Sequence, residues 1–264
     1  MLPTIYLPHG GGPCFYMEWT MGPPHMWERL AAWLRGLDAS LPSRPKALVV
    51  VSGHWEEPLP KVTAGPQPPL YFDYYGFPPH TYELTWPAPG MPALAARIAD
   101  LLGAAGIPCG TDEARGYDHG VFVPLKLSYP LADVPTVQLS LKAGLDPREH
   151  LAIGRALAPL RREGVLLLGS GMSYHNMRGF MQPAALAQSR RFDTWLGETV
   201  AAEPRERERR LSAWTQAPSA RESHPREEHL LPLMVMAGAA PDDPGERVFQ
   251  DELMGAVVSA FRFG

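Results

Sequence analysis

The stretch ALVVVSGHW, residues 47–55, places a glycine and a histidine directly after an apolar, β-branched run. A short run of this kind, bounded by residues that favour turns, is typical of a buried strand. Four further runs share the pattern: TIYL (4–7), TVQLSL (136–141), VLLLGS (165–170) and AVVSAF (256–261). The sequence therefore predicts a set of buried strands, several of which end at glycine or at a histidine.

Helical patterns lie between these runs, at residues 26–37, 92–106, 147–164 and 184–203. The clearest is 147–164, where Pro147 suits the first helical position and Gly164 a helix stop. Strands that alternate with helices predict an α/β fold with a mostly parallel central sheet, helices on both faces, and ligands at the strand carboxyl ends. No linker divides the chain, so we expect a single catalytic domain over 1–264, with the charged run PRERERR (204–210) as a solvated helix end or connector.

Composition narrows the class of partner. The chain has 264 residues, 45% of them hydrophobic, and a formal net charge of -4 without a basic block, which argues against nucleic acid. Its two cysteines cannot build a disulfide framework or a cysteine-based zinc site. Neither a signal peptide nor an apolar run of about 18 residues is found, so a cytoplasmic protein without a membrane partner is expected, and its oligomeric state stays open.

Residues 65–90 are rich in proline and aromatic side chains. Loops longer than about 12 to 15 residues in a compact domain are usually functional. Tyr74, Tyr75, Phe77 and Trp86 therefore predict an aromatic pocket, although each alone could equally be a surface or core residue. A codon bias that raises proline and glycine content throughout would explain part of this composition.

Three histidines follow predicted strands: His9 after TIYLP, His54 after ALVVVSG, and His175 after VLLLGSGMSY. Carboxyl ends of parallel strands lie at one edge of a sheet, where ligands bind. One such histidine would be an ordinary structural residue, and the glycines beside all three would suit ordinary turns. Three on different strands instead indicate a shared site.

The remaining histidines have weaker patterns. In GYDHG, residues 116–120, Asp118 could orient His119 or cap the next element, and spacing alone leaves both open. His80 belongs to the aromatic loop and could line a pocket. His150 is predicted to be a surface residue, and His25 to lead into a helix.

The segment ESHPREEHLLPL, residues 222–233, predicts a helix that starts at Pro225, with Glu227 and Glu228 favourably placed near its N-terminus. His224 and His229 would then lie about 140° apart around the helix, too far for both to bind one ion. On this reasoning at most one of them is a ligand. His229 is the better candidate, because its position inside the predicted helix and beside an apolar face would hold its side chain in place.

Taken together, the motifs resemble those of the LigB-type, or class III, extradiol ring-cleavage dioxygenases, and most closely the subgroup that includes DOPA 4,5-dioxygenases. The resemblance spans nearly the whole chain. It is carried, in order, by PHGGGP, VVVSGHW, FPPHTYELTWPAPG, GYDHGVFVPL, VPTVQLSL, GSGMSYHN and PREEHLLPLMVMAGA.

This resemblance implies an Fe(II) enzyme that opens a small aromatic diol with O2. It implies that His9, His54 and His229 bind the metal, that His175 is the acid and base, and that His119 contacts substrate or O2. Candidates for substrate contact are Tyr117, Asp118, Tyr75 and His80. Better-known ring-cleavage enzymes use two histidines and one glutamate, whereas the third position here is histidine. Three imidazoles also suit catalytic zinc, so the purified protein could contain Zn(II), and contact of Glu227 or Glu228 with the metal stays open.

Two other functions fit part of the pattern. A zinc-dependent hydrolase would use a three-histidine metal to generate hydroxide, with His175 or Glu56 handling protons. A non-catalytic binding protein similar to the Memo signalling proteins would keep the metal pocket without the reaction. The presence of both His175 and His119 argues against that second alternative.

Overall fold

The computed structural model describes residues 1–264, and its eight strands form one sheet in the order β4-β3-β5-β2-β6-β1-β8-β7. The strands are β1 (Thr4–Pro8), β2 (Ala47–Glu57), β3 (Lys61–Thr63), β4 (Gly110–Asp112), β5 (Thr136–Lys142), β6 (Val165–Gly171), β7 (Gly245–Leu253) and β8 (Ala256–Phe263). All five predicted strands are present. The additional ones are the three-residue β3 and β4 and the polar edge strand β7.

Eight α-helices accompany the sheet: α1 (Glu28–Arg35), α2 (Pro92–Ala104), α3 (His119–Ser128), α4 (Pro147–Leu157), α5 (Ala185–Ala201), α6 (Pro204–Ser212), α7 (Ala220–Ser223) and α8 (Leu231–Ala239). Short 3-10 turns occur at Cys14–Tyr16, Asp38–Ser40, Pro79–Glu83, Ala158–Arg161 and Trp214–Gln216. No helix has both the length and the apolar character needed to cross a membrane. All four predicted helices are found, and Pro147 occupies the start of α4, where Asp146 accepts N–H bonds from residues 148 and 149.

The four central strands β5, β2, β6 and β1 run parallel, while β8 pairs antiparallel to β1 and β7 antiparallel to β8. Successive residues of β2 face opposite sides of this sheet. Val49 and Val51 join an apolar cluster with residues of α4 and α8, whereas Leu48 and Val50 join a second cluster with residues of α1 and α3. The prediction of a mostly parallel sheet covered by helices on both faces is confirmed, and the carboxyl ends of β1, β2 and β6 lie together at one edge.

The predicted helix start at Pro225 is wrong. Residues 225–230 form turns, and α8 begins only at Leu231. The reason is Pro232: in a helix that began at Pro225 it would occupy the interior, where it removes an N–H donor and its ring clashes with the preceding turn. Near the first position of α8 the same residue is well tolerated.

Two further expectations fail because polar side chains find partners inside the protein. His150 is fully buried rather than on the surface: its Nδ1–H donates to Asp146 O at 2.8 Å, and its Nε2 accepts the Lys142 N–H at 3.2 Å. The charged run 204–210 forms α6, but it is not wholly solvated. Arg207 is buried and donates to the carbonyl oxygen of Asp243 at 2.9 Å.

Candidate metal centre and active site

Three imidazoles converge at the carboxyl edge of the sheet: His9 follows β1, His54 lies in the last part of β2, and His229 precedes α8. Nε2 of His54 lies 3.2 Å from Nε2 of His9 and 3.1 Å from Nε2 of His229. Two nitrogens bound to one ion at about 2.1 Å would be about 3.0 to 3.4 Å apart, so these spacings fit ligands of one first-row metal. His9 and His229 are buried, and His54 is largely so. These residues form a candidate metal centre.

The outer nitrogens of these rings have partners that orient them. Nδ1–H of His9 donates to Gly10 O at 2.9 Å, and Nδ1–H of His229 donates to Glu228 Oε1 at 3.0 Å. Nδ1 of His54 faces Asp73 Oδ2 across 3.7 Å. The hydrogen bonds on Nδ1 of His9 and His229 fix the tautomer in which Nε2 carries the lone pair, as is usual for metal-binding histidines.

Burial also keeps these imidazoles neutral. Desolvation lowers the pKa of His9, His54 and His229 well below the ordinary histidine value, and repulsion from neighbouring histidines, His119 and His175 among them, lowers it further. A neutral imidazole has the lone pair that a metal requires. The electrostatics of the protein therefore favour the form of the three side chains that binds a metal ion.

The backbone of His229 is held by direct contacts rather than by a helix. Its carbonyl oxygen accepts the Tyr6 hydroxyl at 2.7 Å and the Met172 N–H at 3.2 Å. Two strand glycines, Gly53 within β2 and Gly171 at the end of β6, make this approach possible. A Cβ on Gly53 would lie 3.3 Å from the His229 Cα, and one on Gly171 would overlap the His229 carbonyl.

His224 lies outside this centre for a reason unrelated to helical spacing. It is fully buried, packs edge-on against the rings of Phe192 and Trp214, and its Nε2–H donates to Ser173 O at 2.9 Å. Its Nδ1 has no hydrogen-bond partner in the protein. Burial lowers the pKa of His224 to about 3, so the ring is neutral. The side chain is part of the core between α5 and the 3-10 turn at Trp214–Gln216.

His119 enters the site at the first position of α3, but Asp118 does not orient it. Both the backbone N–H and the Nδ1–H of His119 donate to Asp73 Oδ1, at 3.0 and 2.7 Å. The carboxylate of Asp118 instead accepts from Ser52 Oγ at 2.8 Å and from the Gln138 amide, and makes no capping bond. Asp73 is a residue that the sequence analysis missed. Its signal was that of an acidic side chain inside an otherwise apolar, aromatic loop.

His175 lies against the candidate metal centre. Its ring stacks on that of His229 with centroids 3.3 Å apart, and its Nδ1 lies 3.3 Å from Glu228 Oε1. The Glu228 carboxylate therefore contacts the Nδ1 atoms of both His175 and His229. Burial opposes its ionisation, but hydrogen bonds, chiefly from His175, and the nearby Arg226 hold the pKa of this carboxyl below its ordinary value. Glu227 is directed elsewhere and pairs with Arg221 at 2.8 Å.

Four histidines, His9, His54, His119 and His175, form the floor of a cavity of about 390 Å³. Of the four residues considered for substrate contact, only Tyr75 lines it. Tyr117 is fully buried and donates to Thr136 O at 2.6 Å, Asp118 lies behind His119, and His80 is exposed with Nε2 3.2 Å from Tyr16 O. Tyr74 and Phe77 of the aromatic loop line the cavity as expected, whereas the Trp86 indole is buried elsewhere and donates to Tyr129 O.

Other parts of the cavity wall gave no recognisable sequence signal. They come from separate segments that only the fold brings together: Trp19, Met21, Trp27, Met172, Met177, Phe180 and Met254. Tryptophan and methionine at such positions have the same pattern as core residues.

Known protein families provide an independent comparison. The family described as the catalytic LigB subunit of aromatic ring-opening dioxygenase matches residues 3–262. The chain belongs to the LigB family. It is 39% identical over 223 residues to the 4,5-DOPA dioxygenase extradiol of Beta vulgaris, a match that covers 82% of this chain and 81% of that protein.

Two further curated relatives and one crystal structure agree with this assignment. The 4,5-DOPA dioxygenase extradiol of Escherichia coli K12 is 37% identical, covering 90% of this chain and 85% of that protein. The dioxygenase tasH of Hapsidospora irregularis is 36% identical, covering 100% and 86%. The crystal structure of an uncharacterized Escherichia coli K12 protein matches with a TM-score of 0.80 and 30% identity over the whole of both chains. The LigB family membership and the α/β fold predicted from the sequence are both confirmed.

Proposed function

We propose that this protein is a non-haem, Fe(II)-dependent extradiol dioxygenase that opens the ring of a catechol-type substrate with O2, and that residues 1–264 form one catalytic domain. The observation that carries the proposal is the convergence of three neutral imidazoles, with Nε2 atoms 3.1 and 3.2 Å apart, two of which, His9 and His54, line an aromatic cavity. Two more histidines face the same cavity. LigB family membership supports the same reaction class.

His9, His54 and His229 would hold the metal. Three protein ligands leave coordination positions free, which the reaction needs for two partners. When bound, Fe(II) would bring the diol oxygens and O2 together and would pass electron density from the aromatic ring to O2. The side chains' contribution is a rigid arrangement: Gly10 O, Glu228 and the Tyr6 hydroxyl fix the rings or backbone of His9 and His229 before substrate arrives.

His175 is the proposed acid and base. Imidazole is suited to exchanging protons near neutral pH, and this one lines the cavity. Glu228 occupies its Nδ1 side, and stacking on His229 restrains ring rotation. Nε2 is therefore the atom that takes a proton from the diol and later returns one to the opening ring.

His119 is the proposed contact to a substrate oxygen. Asp73 holds its Nδ1–H at 2.7 Å, so its Nε2 is available on the cavity side. Its ring centroid is 3.9 Å from that of His54, which places it beside the candidate ligands. Aromatic rings around the floor lower the local polarity, and this strengthens the polar contacts made there.

The alternative function, a zinc-dependent hydrolase, is favoured by one observation: no carboxylate is among the three converging ligands. Three histidines form a ligand set of catalytic zinc as well as a candidate set for iron. O2 uptake separates the two functions, since hydrolysis consumes no O2. The test is to load the protein with Fe(II) or Zn(II) under argon, admit air, and follow O2 and a yellow semialdehyde across a panel of catechols.

The first variant to test is His229→Ala. It removes one of three ligands, so the expected result is that bound Fe(II) falls from about one per chain to a small fraction after desalting, with activity lost in parallel. Metal analysis by mass spectrometry is the measurement, and His25→Ala, at an exposed histidine, is the matched control. Full retention of iron by the His229 variant would contradict the ligand assignment.

A second variant, His175→Ala, separates proton transfer from metal binding. Loss of a general acid or base typically lowers turnover by about 10²- to 10⁴-fold. The expected result is a fall in kcat of that order while the metal content stays that of the parent protein. If the variant lost its metal, or turned over normally, the assignment of His175 would be wrong.

A further inference from the structure

The cavity above the histidines has no charged wall. It is lined by 17 residues, and none of them is Lys, Arg, Asp or Glu. Apart from the four histidines on its floor, the polar side chains are limited to the hydroxyl groups of two tyrosines and the indole N–H groups of two tryptophans. A substituent of the substrate that extends away from the metal centre therefore meets aromatic rings, methionines and glycine backbone.

The ionised groups just behind the wall already have partners. Asp73 accepts from His119, and Glu228 is shared by His175 and His229. Arg226, whose guanidinium lies 3.5 Å from Glu228 Oε2, also pairs with both carboxylate oxygens of Glu56. None of these charges is available to a ligand in the cavity.

The deep part of the wall is apolar and fixed. Trp19, Trp27 and Met172 are only 5%, 4% and 3% exposed, and the two indoles meet edge to face with centroids 5.2 Å apart. The rim is soft, with Met21 and Met177 exposed at 48% and 69%. Methionine is flexible and polarisable, so it adapts to apolar groups of differing shape.

We propose that the substrate is an uncharged catechol with an apolar alkyl or aryl substituent, rather than a catechol with an amino-acid or carboxylate side chain. This inference rests on the proposed ring-opening function. An ion moved from water into a site without a counter-charge loses hydration that nothing in the wall replaces. An alkyl or aryl group placed there gains instead, because it leaves water for an apolar surface.

The test compares two catechols with the same three-carbon chain, 4-propylcatechol and 3-(3,4-dihydroxyphenyl)propanoate, in which the last carbon is a methyl or a carboxylate. DOPA is the third substrate. With Fe(II)-loaded enzyme and O2 uptake as the readout, kcat/KM for 4-propylcatechol is expected to exceed that for either charged compound by at least about tenfold. Equal or better use of the propanoate or DOPA would overturn the inference and leave the ring-opening function intact.

Binding gives a readout that does not depend on turnover. Trp19 and Trp27 line the cavity, so quenching of tryptophan fluorescence in the Zn(II)-loaded protein reports occupancy by the same compounds. Tighter binding of 4-propylcatechol without any O2 uptake would reject the proposed function while supporting the ligand class. Absence of binding by 4-propylcatechol, or tighter binding of the propanoate, would reject the ligand class.

Three variants test whether the missing charge sets the preference. Met177→Lys adds a cation at the rim and is expected to raise kcat/KM for the propanoate several-fold relative to kcat/KM for 4-propylcatechol. Leu131→Lys, on a turn where the side chain is 78% exposed, is the matched control and should change neither. Arg178→Met removes an exposed arginine that follows Met177 but does not line the cavity, and it should leave the ranking unchanged. No effect of Met177→Lys, or loss of propanoate use in Arg178→Met, would contradict the inference.

Discussion

Replacing His224 with Gln should flatten the pH dependence of stability in the metal-free protein. His224 is fully buried, donates from Nε2 to Ser173 O, and has no acceptor near Nδ1, so a second proton would place an unpartnered N–H and a charge in the core. Burial lowers its pKa to about 3, whereas an unfolded histidine titrates near 6.5. Below pH 6.5 the unfolded chain therefore binds a proton that the folded chain does not, and stability falls as the pH is lowered.

The magnitude follows from these two values. In the unfolded chain about one in eleven His224 side chains is protonated at pH 7.5, and about ten in eleven are protonated at pH 5.5. The loss of unfolding free energy from this one residue between the two pH values is about 1.4 kcal/mol. That figure holds as long as the folded pKa lies well below 5.5. Other buried histidines, including His150, have lowered pKa values and contribute losses of the same sign, so the parent protein should lose more than 1.4 kcal/mol in total.

Urea unfolding at pH 7.5 and 5.5, in the presence of a chelator, measures the effect. His224→Gln retains a side-chain N–H for Ser173 but cannot titrate, so its loss of unfolding free energy should be smaller than that of the parent protein by about 1.4 kcal/mol. His25→Gln, at a side chain 77% exposed, removes a histidine that is not buried and is the matched control. An identical pH dependence in His224→Gln and the parent protein would refute the reasoning.

Two further predictions concern contacts that hold the structure around the site. Tyr6→Phe removes the hydroxyl that donates to His229 O, so the unfolding free energy measured in urea titrations should fall by about 1 kcal/mol. Bound iron should also dissociate faster from this variant. Unchanged iron retention would show that Tyr6 does not position His229. Gly154→Ala would push a Cβ into the backbone of α8 at Val235 O and should lower the unfolding free energy by about 1 to 3 kcal/mol. In Gly103→Ala the new Cβ, on α2, meets nothing within 4 Å, so the unfolding free energy should rise by about 0.5 to 1 kcal/mol. Equal shifts in the melting temperature of the two variants would contradict the packing argument.

The sheet was predictable because its central strands are buried on both faces. A strand buried on both faces is apolar at successive positions, so runs such as ALVVVS can be recognised without knowing which strands lie beside them. The strands that escaped prediction are of another kind. β3 and β4 have three residues each, so only their hydrogen bonding to neighbouring strands defines them as strands. β7, at the sheet edge, is largely polar. Edge strands need no apolar run, and charged residues there discourage pairing with other chains.

The candidate site was predictable only in part. The rule that parallel strands end at one edge grouped His9, His54 and His175, and helix geometry favoured His229 over His224, but the set of three ligands came from the family resemblance. The helix assigned to His229 was wrong because it placed Pro232 in its interior. Asp73 and the tryptophan walls could not be found from spacing, since the contacts that define them join segments far apart in sequence. The roles proposed for the histidines are those of metal ligands for His9, His54 and His229, acid and base for His175, and substrate contact for His119.

The converging histidines are also distant along the chain: 45 residues separate His9 from His54, and 175 separate His54 from His229. An ion held by all three would therefore act as a cross-link that closes two long loops, the second of which includes β3, β4, β5 and β6. Closing such loops restricts the opened chain more than the folded one, much as a disulfide does. Removal of the metal would then lower the global resistance to unfolding and proteolysis as well as the activity. Chelation and ligand substitution should consequently be judged against a stability measurement, because inactivation by either reflects both losses together.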